Sequence, residues 1–225
     1  MESQSSVVES PIVTLDELSF YAARAGTVAF AISAVLSVAE RRIDLFAAVV
    51  LGTITAVGGG TIRDIILDVP VFWATELIYI WLSVASCVAA FVAYRFFQHR
   101  FVGALVLYMD GFGAALFGVQ ATGKVWDLGF ALPIAPVILG VITAIGGGLI
   151  RDVLAQRQTL LMSRELYAVP VLIGCILFTL ILAYAPEYRL EGSIFCIGLI
   201  FAIRAAAIHW SLQVPEWAMM GFRRQ

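Results

Sequence analysis

Charge is what this sequence has least of. Only 13% of its 225 residues are Asp, Glu, Lys or Arg, about half the share in an average soluble domain. Against that, 61% are hydrophobic and mean hydropathy is +0.96. So little polar surface cannot cover a body standing in water, which excludes a soluble enzyme, a nucleic-acid-binding domain and a disordered chain. A net charge of −2 leaves no basic excess for nucleic acid. Histidine is scarce, and His99 and His209 stand alone. Cys87, Cys175 and Cys196 are odd in number, lie inside apolar runs and lack metal-type spacing, so they read as small buried hydrophobes. There is no Ser-His-Asp spacing, no HExxH and no P-loop lysine, and the glycine runs lack the context of a dinucleotide fingerprint. No enzyme activity, metal or cofactor is expected.

What the chain does have is long apolar runs. A helix needs roughly 20 apolar residues to cross a hydrocarbon core. Seven stretches qualify: Leu18–Val38, Leu45–Leu67, Leu77–Phe97, Val102–Gln120, Leu132–Ile150, Tyr167–Ala185 and Gly192–Ile208. They are too long, and too uniformly apolar, for the strands of a membrane barrel. The expectation is an all-α membrane protein of seven transmembrane helices. The polar, acidic segment before them has no positive n-region, so no cleaved leader is expected.

Basic residues in short loops set orientation. Arg63, Lys124 and Arg189 fall on the side of the N-terminus. Arg41, Arg42, Arg95, Arg100, Arg151, Arg157, Arg164, Arg204, Arg223 and Arg224 fall on the other. That bias predicts the N-terminus outside and the C-terminus in the cytoplasm. Trp73, Trp81, Trp126, Trp210 and Trp217 fall near the expected interfaces.

Two segments repeat each other. Residues 52–64 read GTITAVGGGTIRD and residues 140–152 read GVITAIGGGLIRD, identical at ten of thirteen positions. Weaker echoes flank them: Tyr21 and Gly26 correspond to Tyr108 and Gly113, and Glu76-Leu77 to Glu165-Leu166. Each copy then holds three spans, residues 18–101 and 102–185, with residues 1–17 as a polar N-terminus and 186–225 as a seventh helix and tail. An odd number of crossings makes the second copy enter from the opposite face. Inverted repeats of this kind are common in transport proteins and place functional sites at the repeat interface.

Three consecutive glycines weaken a helix by roughly 0.8–1 kcal/mol each relative to alanine. Kinks or breaks at Gly58, Gly59 and Gly60 and at Gly146, Gly147 and Gly148 are therefore expected, with freed carbonyls turned inward where a cation can exchange hydration for them. Close helix packing is the competing reading of the same glycines. Arg63-Asp64 and Arg151-Asp152 follow the glycines at a depth where lipid penalises charge. Adjacent residues do not share a helix face, so each Arg and its following Asp are expected to have different partners. Arg63 with Asp152, or Arg151 with Asp64, would satisfy the repeat symmetry; helix-end marking is the bland alternative. Arg24 and Asp110 lie at nearly corresponding depths of the first and fourth spans, where they either pair or line opposite mouths of one path; Arg24 alone could also snorkel to the interface. Arginines beside a cation path are read as a movable gate, with Asp64, Asp110 and Asp152 supplying negative charge. Arg204 and His209 read as interface anchors. Small residues every fourth position (Ala25, Ala29, Ser33 and Ser37; Ala114, Gly118 and Thr122; Gly198, Ala202 and Ala206) mark close-contact faces within the bundle or between subunits.

The seven spans, the duplicated three-helix unit and the paired GGGTIRD and GGGLIRD together resemble the prokaryotic branch of the trimeric intracellular cation channel family, over about Leu18 to Ile208. The resemblance implies a homotrimer whose protomers each hold a pore between the two glycine helices, conducting monovalent cations, chiefly potassium. It carries over the two glycine runs with Arg63, Asp64, Arg151 and Asp152. The Lys-Glu-Val cluster of the animal members is absent, as is a retrieval signal in the tail, so a prokaryotic inner membrane is implied. The same signature also marks a bacterial family described as glycine transporters, which makes a small-solute secondary transporter the alternative. A structural membrane protein assembling through its small-residue faces is the third reading.

Overall fold

The computed structural model describes residues 15–41, 43–94, 102–163 and 166–213. They form eight α-helices: α1 (Leu15–Ser37), α2 (Leu45–Ile66), α3 (Phe72–Thr75), α4 (Ile78–Tyr94), α5 (Val102–Asp127), α6 (Ile134–Leu154), α7 (Ala168–Tyr184) and α8 (Arg189–His209). Five stretches are long and apolar enough to cross a membrane: Ser19–Ser37, Leu45–Ile66, Val102–Asp127, Ile134–Leu154 and Pro186–His209. The helices α4 and α7 are apolar but 17 residues long. The single turn α3 is too short to show a periodic pattern, and the sequence reading missed it. Residues 1–14, Arg42, Arg95, His99, Arg100, Arg164, Glu165, Trp217, Arg223 and Arg224 lie outside the described residues.

Four helices make a ring. The helix α1 packs against α5 and α2, and α6 packs against the same two; α1 and α6, like α2 and α5, face each other across diagonals with little contact. The helix α4 covers α1 and α2, and α7 covers α5 and α6. The helix α8 leans on α5 and α7.

Local chemistry explains why the ring helices start and stop where they do. Asp44 caps α2, its carboxylate accepting from the Ala47 N–H at 2.7 Å. Both glycine helices end alike: Asp68 and Gln156 take φ of 54° and 48°, and the next N–H, of Val69 and Arg157, returns to the Asp64 and Asp152 carbonyls. Hydroxyls within the helices bond to their own backbone, as Thr55 does to the Leu51 carbonyl and Thr143 to the Leu139 carbonyl. Such internal satisfaction is what a lipid surrounding demands.

Of the two forms expected at the glycines, a kink or a break, the break is corrected. Both α2 and α6 run unbroken through Gly58–Gly60 and Gly146–Gly148. The two helices touch backbone to backbone instead. A Cβ built on Gly59 would land on the Thr143 carbonyl oxygen, and one on Gly147 on the Thr55 carbonyl oxygen. Packing gained by dropping the side chains holds the helix together where propensity alone would weaken it. On the opposite side of the ring, Phe30 of α1 and Phe117 of α5 stack at 5.7 Å with 15° between planes. Each ring lies on a glycine of the facing helix, Phe30 on Gly113 and Phe117 on Gly26.

The stripes of α1 and α5 are inward packing faces, with Ala29, Ser33, Ala114, Gly118 and Thr122 all buried. The α8 stripe differs, since Gly198 and Ala202 are exposed. The three cysteines are free and buried.

Candidate functional site

The charged groups of the ring form two networks, one at each glycine helix. In the first, Arg63 near the end of α2 is 2% exposed and Asp64 is fully buried. Arg63 Nε donates to Asp64 Oδ1 at 2.8 Å and Nη1 donates to Gln120 Oε1 of α5 at 2.9 Å. Asp64 also accepts from Lys124 Nζ at 2.7 Å and, through Oδ2, from the Phe72 N–H at 2.9 Å. The last bond ties α3 back onto α2, which gives that one-turn helix its place.

The second network is built on the same plan. Arg151 near the end of α6 is 1% exposed and donates from Nε to Asp152 Oδ1 at 2.9 Å. Its Nη1 donates to Ser33 Oγ of α1 at 2.7 Å and to Asp110 Oδ1 of α5 at 2.6 Å. Asp152 Oδ2 accepts from the Leu160 N–H at 3.0 Å. Positions 72 and 160 differ by the 88 residues that separate the two motifs, and Ser33 and Gln120 differ by 87. Each arginine therefore reaches across a diagonal of the ring, α2 to α5 and α6 to α1, where the helices themselves scarcely touch.

Two expectations are corrected here. Each Arg does pair with the Asp that follows it, because a long guanidinium side chain can wrap around the helix to a carboxylate that a short side chain could not reach. Neither Arg63–Asp152 nor Arg151–Asp64 forms; the cross-ring partners are the polar Gln120 and Ser33, with Asp110 joining the second network. Buried charges in such a setting require this density of partners.

Two cavities open at opposite ends of the antiparallel α1 and α5. One, of about 500 Å³, is lined by Ser37 and Arg41 at the end of α1, Val106 near the start of α5, and Arg151 and Asp152. The other, of about 420 Å³, is lined by Ser19 near the start of α1, Gln120, Lys124 and Asp127 near the end of α5, and Arg189. Each cavity thus ends on a member of one cross-ring bridge. At the first mouth, Arg41 donates to the Ala155 carbonyl and Arg157 to the Ser37 carbonyl. At the second, Arg189 holds Asp127 through two bonds of 2.7 and 2.5 Å.

Among the other expected residues, Asp110 is fully buried, as an interior role requires. Arg24 and Asp110 do not pair: Arg24 lies 3.7 Å from Glu76 and stacks over the Phe20 ring at 3.2 Å. Gly60 packs on Phe72, Gly58 on Ile150, and Gly148 faces Tyr167 and Asp110. Arg204 is corrected outright: it is no interface anchor but 0% exposed, between α8 and α5. His209 is exposed, as expected of an anchor. The sequence reading missed Gln120, Lys124 and Tyr167 as members of the networks. Aligning the halves at offset 87 would have exposed Gln120 opposite Ser33 and Phe117 opposite Phe30.

Comparison with known proteins adds four likenesses. A family model described as Glycine transporter matches residues 20–95 and, again, 107–183. The UPF0126 inner membrane protein YadS of Escherichia coli (strain K12) is 38% identical over 197 residues, covering 86% of this chain and 93% of that protein. Among solved structures, a TRIC trimeric intracellular cation channel orthologue from Rhodobacter sphaeroides superposes with a TM-score of 0.80 at 30% identity, covering 86% of this chain and 98% of that one. A prokaryotic TRIC channel crystallised in 0.5 M KCl gives a TM-score of 0.82 at 26% identity, with coverage of 89% and 100%.

Proposed function

The chain belongs to the family described as Glycine transporter, and from that premise, joined to its likeness to prokaryotic cation channels, we propose that it is a cation channel with its pathway inside the single chain. One observation carries the reading: two cavities lie at opposite ends of α1 and α5, the first reaching Arg151 and the second, bordered also by α7 and α8, reaching Gln120, the α5 partner of Arg63. The bridges close the passage in the arrangement described. A cation passes when Arg63 leaves Gln120 and Arg151 leaves Ser33.

The pathway in this reading comprises Gly58, Gly59, Gly60, Arg63, Asp64, Gly146, Gly147, Gly148, Arg151, Asp152 and Asp110, with Arg24 at one mouth. Asp110 and Asp152 outnumber Arg151 and favour positive ions at that end, whereas Asp64 only partly offsets Arg63 and Lys124. Gly59 and Gly147 bring α2 and α6 into backbone contact, which sets the spacing of the two arginines that follow them. Potassium is the proposed ion, by resemblance to the channels above.

The proposed topology has α1, α2 and α4 as one unit, α5, α6 and α7 as its inverted copy, and α8 as a seventh crossing. The two stretches matched by one family model support it, as do the end-to-end placement of the cavities and the equivalent bonding of Phe72 and Leu160. Buried Arg63, Arg151 and Arg204 leave the loop count, but the basic bias still favours the N-terminus outside. The name of the Escherichia coli relative supports a bacterial inner membrane, and the trimeric channel orthologue supports a homotrimer. A glycine transporter is the second reading, favoured by the description of the family model.

Planar-bilayer recording of the purified protein separates the two. The channel reading expects unitary potassium currents, and expects Arg63→Ala and Arg151→Ala to change conductance or gating. Unchanged currents in both folded variants would sink the arginine gates. Gradient-driven uptake of labelled glycine without unitary currents would replace the channel by the transporter.

A further inference from the structure

Arg204 is a buried cation with no carboxylate bonded to it among the described residues. Its Nη1 donates to the Leu166 carbonyl at 3.1 Å, and its guanidinium lies over the Tyr167 ring, 4.8 Å from the centroid. Its Nε and Nη2 have no hydrogen-bond partner among the described residues. Two neighbouring side chains are also incompletely used. Asp110 Oδ1 holds Arg151, while Asp110 Oδ2 and the Tyr167 hydroxyl, which face each other, have no hydrogen bond of full geometry among the described residues. All three side chains are at most 2% exposed.

These groups adjoin one another. A Cβ on Gly148 would lie 2.6 Å from the Tyr167 hydroxyl and 3.0 Å from Asp110 Oδ1. A Cβ on Gly111, next to Asp110 in the chain, would lie 3.4 Å from Arg204 Nε. Tyr167 thus carries Arg204 on its ring and presents its hydroxyl toward the Asp110 carboxylate. Neither large cavity is lined by Asp110, Tyr167 or Arg204. Leaving charged donors and an ionised acceptor unpaired in a buried site is unfavourable, so each is primed to bond when its neighbour moves.

We propose that Asp110 serves two arginines in turn, Arg151 while the passage is closed and Arg204 when it opens. The inference rests on the channel reading. Rotation of the carboxylate toward α8 gives Oδ2 the planar Nε/Nη2 fork of Arg204, a geometry suited to carboxylate. Arg151 then loses its shortest partner and keeps Asp152, on its own helix. What holds it across the ring is a single bond to the neutral Ser33 hydroxyl, which releases. Arg204 is a positioning residue in this scheme: it never meets the ion but sets how often Arg151 lets go.

The test is single-channel recording of the full chain in potassium, reading open probability and unitary conductance separately. Arg204→Gln is expected to lower open probability at least about tenfold, equivalent to about 1.4 kcal/mol, with unitary conductance unchanged. In an Asp110→Asn background, which lacks the exchanged charge, adding Arg204→Gln is expected to have little further effect. Should Arg204→Gln not elute as a folded protein, Arg204→Lys decides. A single ammonium cannot hold the Leu166 carbonyl and a carboxylate in one plane, so its open probability also falls. Wild-type opening in either folded variant, or equal effects with and without Asp110, overturns the exchange while leaving the channel intact. A wild-type protein that passes no current defeats the channel reading, and the exchange falls with it.

Discussion

The two arginine networks look alike but differ in redundancy, and stability measurements can expose the difference. Replacing Arg63 by Met leaves Asp64 with the Lys124 ammonium at 2.7 Å and the Phe72 N–H at 2.9 Å. The loss is then about 1.5 kcal/mol, the scale of one charge-assisted hydrogen bond. Replacing Arg151 by Met leaves Asp152 with the Leu160 N–H alone among the described residues, and takes from Asp110 its one bonded cation in the closed arrangement, where Arg204 is held on the Leu166 carbonyl. Stranding a buried charge in this way costs about 3–5 kcal/mol. At about 2–4 °C per kcal/mol for a chain of this length, the unfolding midpoint in detergent should fall by about 3–6 °C for Arg63→Met and about 6–20 °C for Arg151→Met. Adding Asp110→Asn to Arg151→Met should recover much of the loss, because the stranded charge goes with it. Equal losses for the two arginines, the reverse order, or a double variant no more stable than Arg151→Met would refute the assignment of partners.

Two other perturbations probe the ring itself. Gly59→Ala and Gly147→Ala place a methyl on the facing Thr143 and Thr55 carbonyls and should each destabilise by about 1–3 kcal/mol, as overpacking does. Gly103→Ala, with nothing within 4 Å of the new Cβ, serves as the control, and its midpoint should not fall. Phe30→Ala removes half of the stacked pair that seals α1 against α5; it should cost about 3–5 kcal/mol and raise resting ion leak in vesicles. A variant as tight and as stable as wild type would show that the aromatic pair does not seal the ring.

The features visible beforehand were those with a short-range signature. Apolar runs marked the long helices, and the copied GGG-x-x-RD segments marked Arg63, Asp64, Arg151 and Asp152, all of which are buried at the ring. The continuity of α2 and α6 through their glycines was not visible, because helix propensity describes an isolated segment and the compensating contact, Gly59 on the Thr143 backbone, is 84 residues away along the chain. Arg204 was misread for a related reason. A charge near the end of an apolar run has the same sequence appearance whether it reaches water or a neighbouring helix, and only the packing of α8 against α5 decides. Gln120 and Ser33 are ordinary polar residues locally; their roles come from lying at equivalent places on α5 and α1, each opposite an arginine.

The networks share a skeleton but not a charge. Lys124 has no basic counterpart, since Ser37 occupies the equivalent place of the first half, and nothing on the side of Arg63 matches Asp110. Around Arg63 and Lys124 stands one carboxylate, that of Asp64; around Arg151 stand two, those of Asp110 and Asp152. In the proposed passage an ion therefore meets a different electrostatic profile from each end. The two copied segments supply a matched frame, and divergence at a few positions makes that frame polar, so that the proposed passage would rectify current although its helices are paired alike.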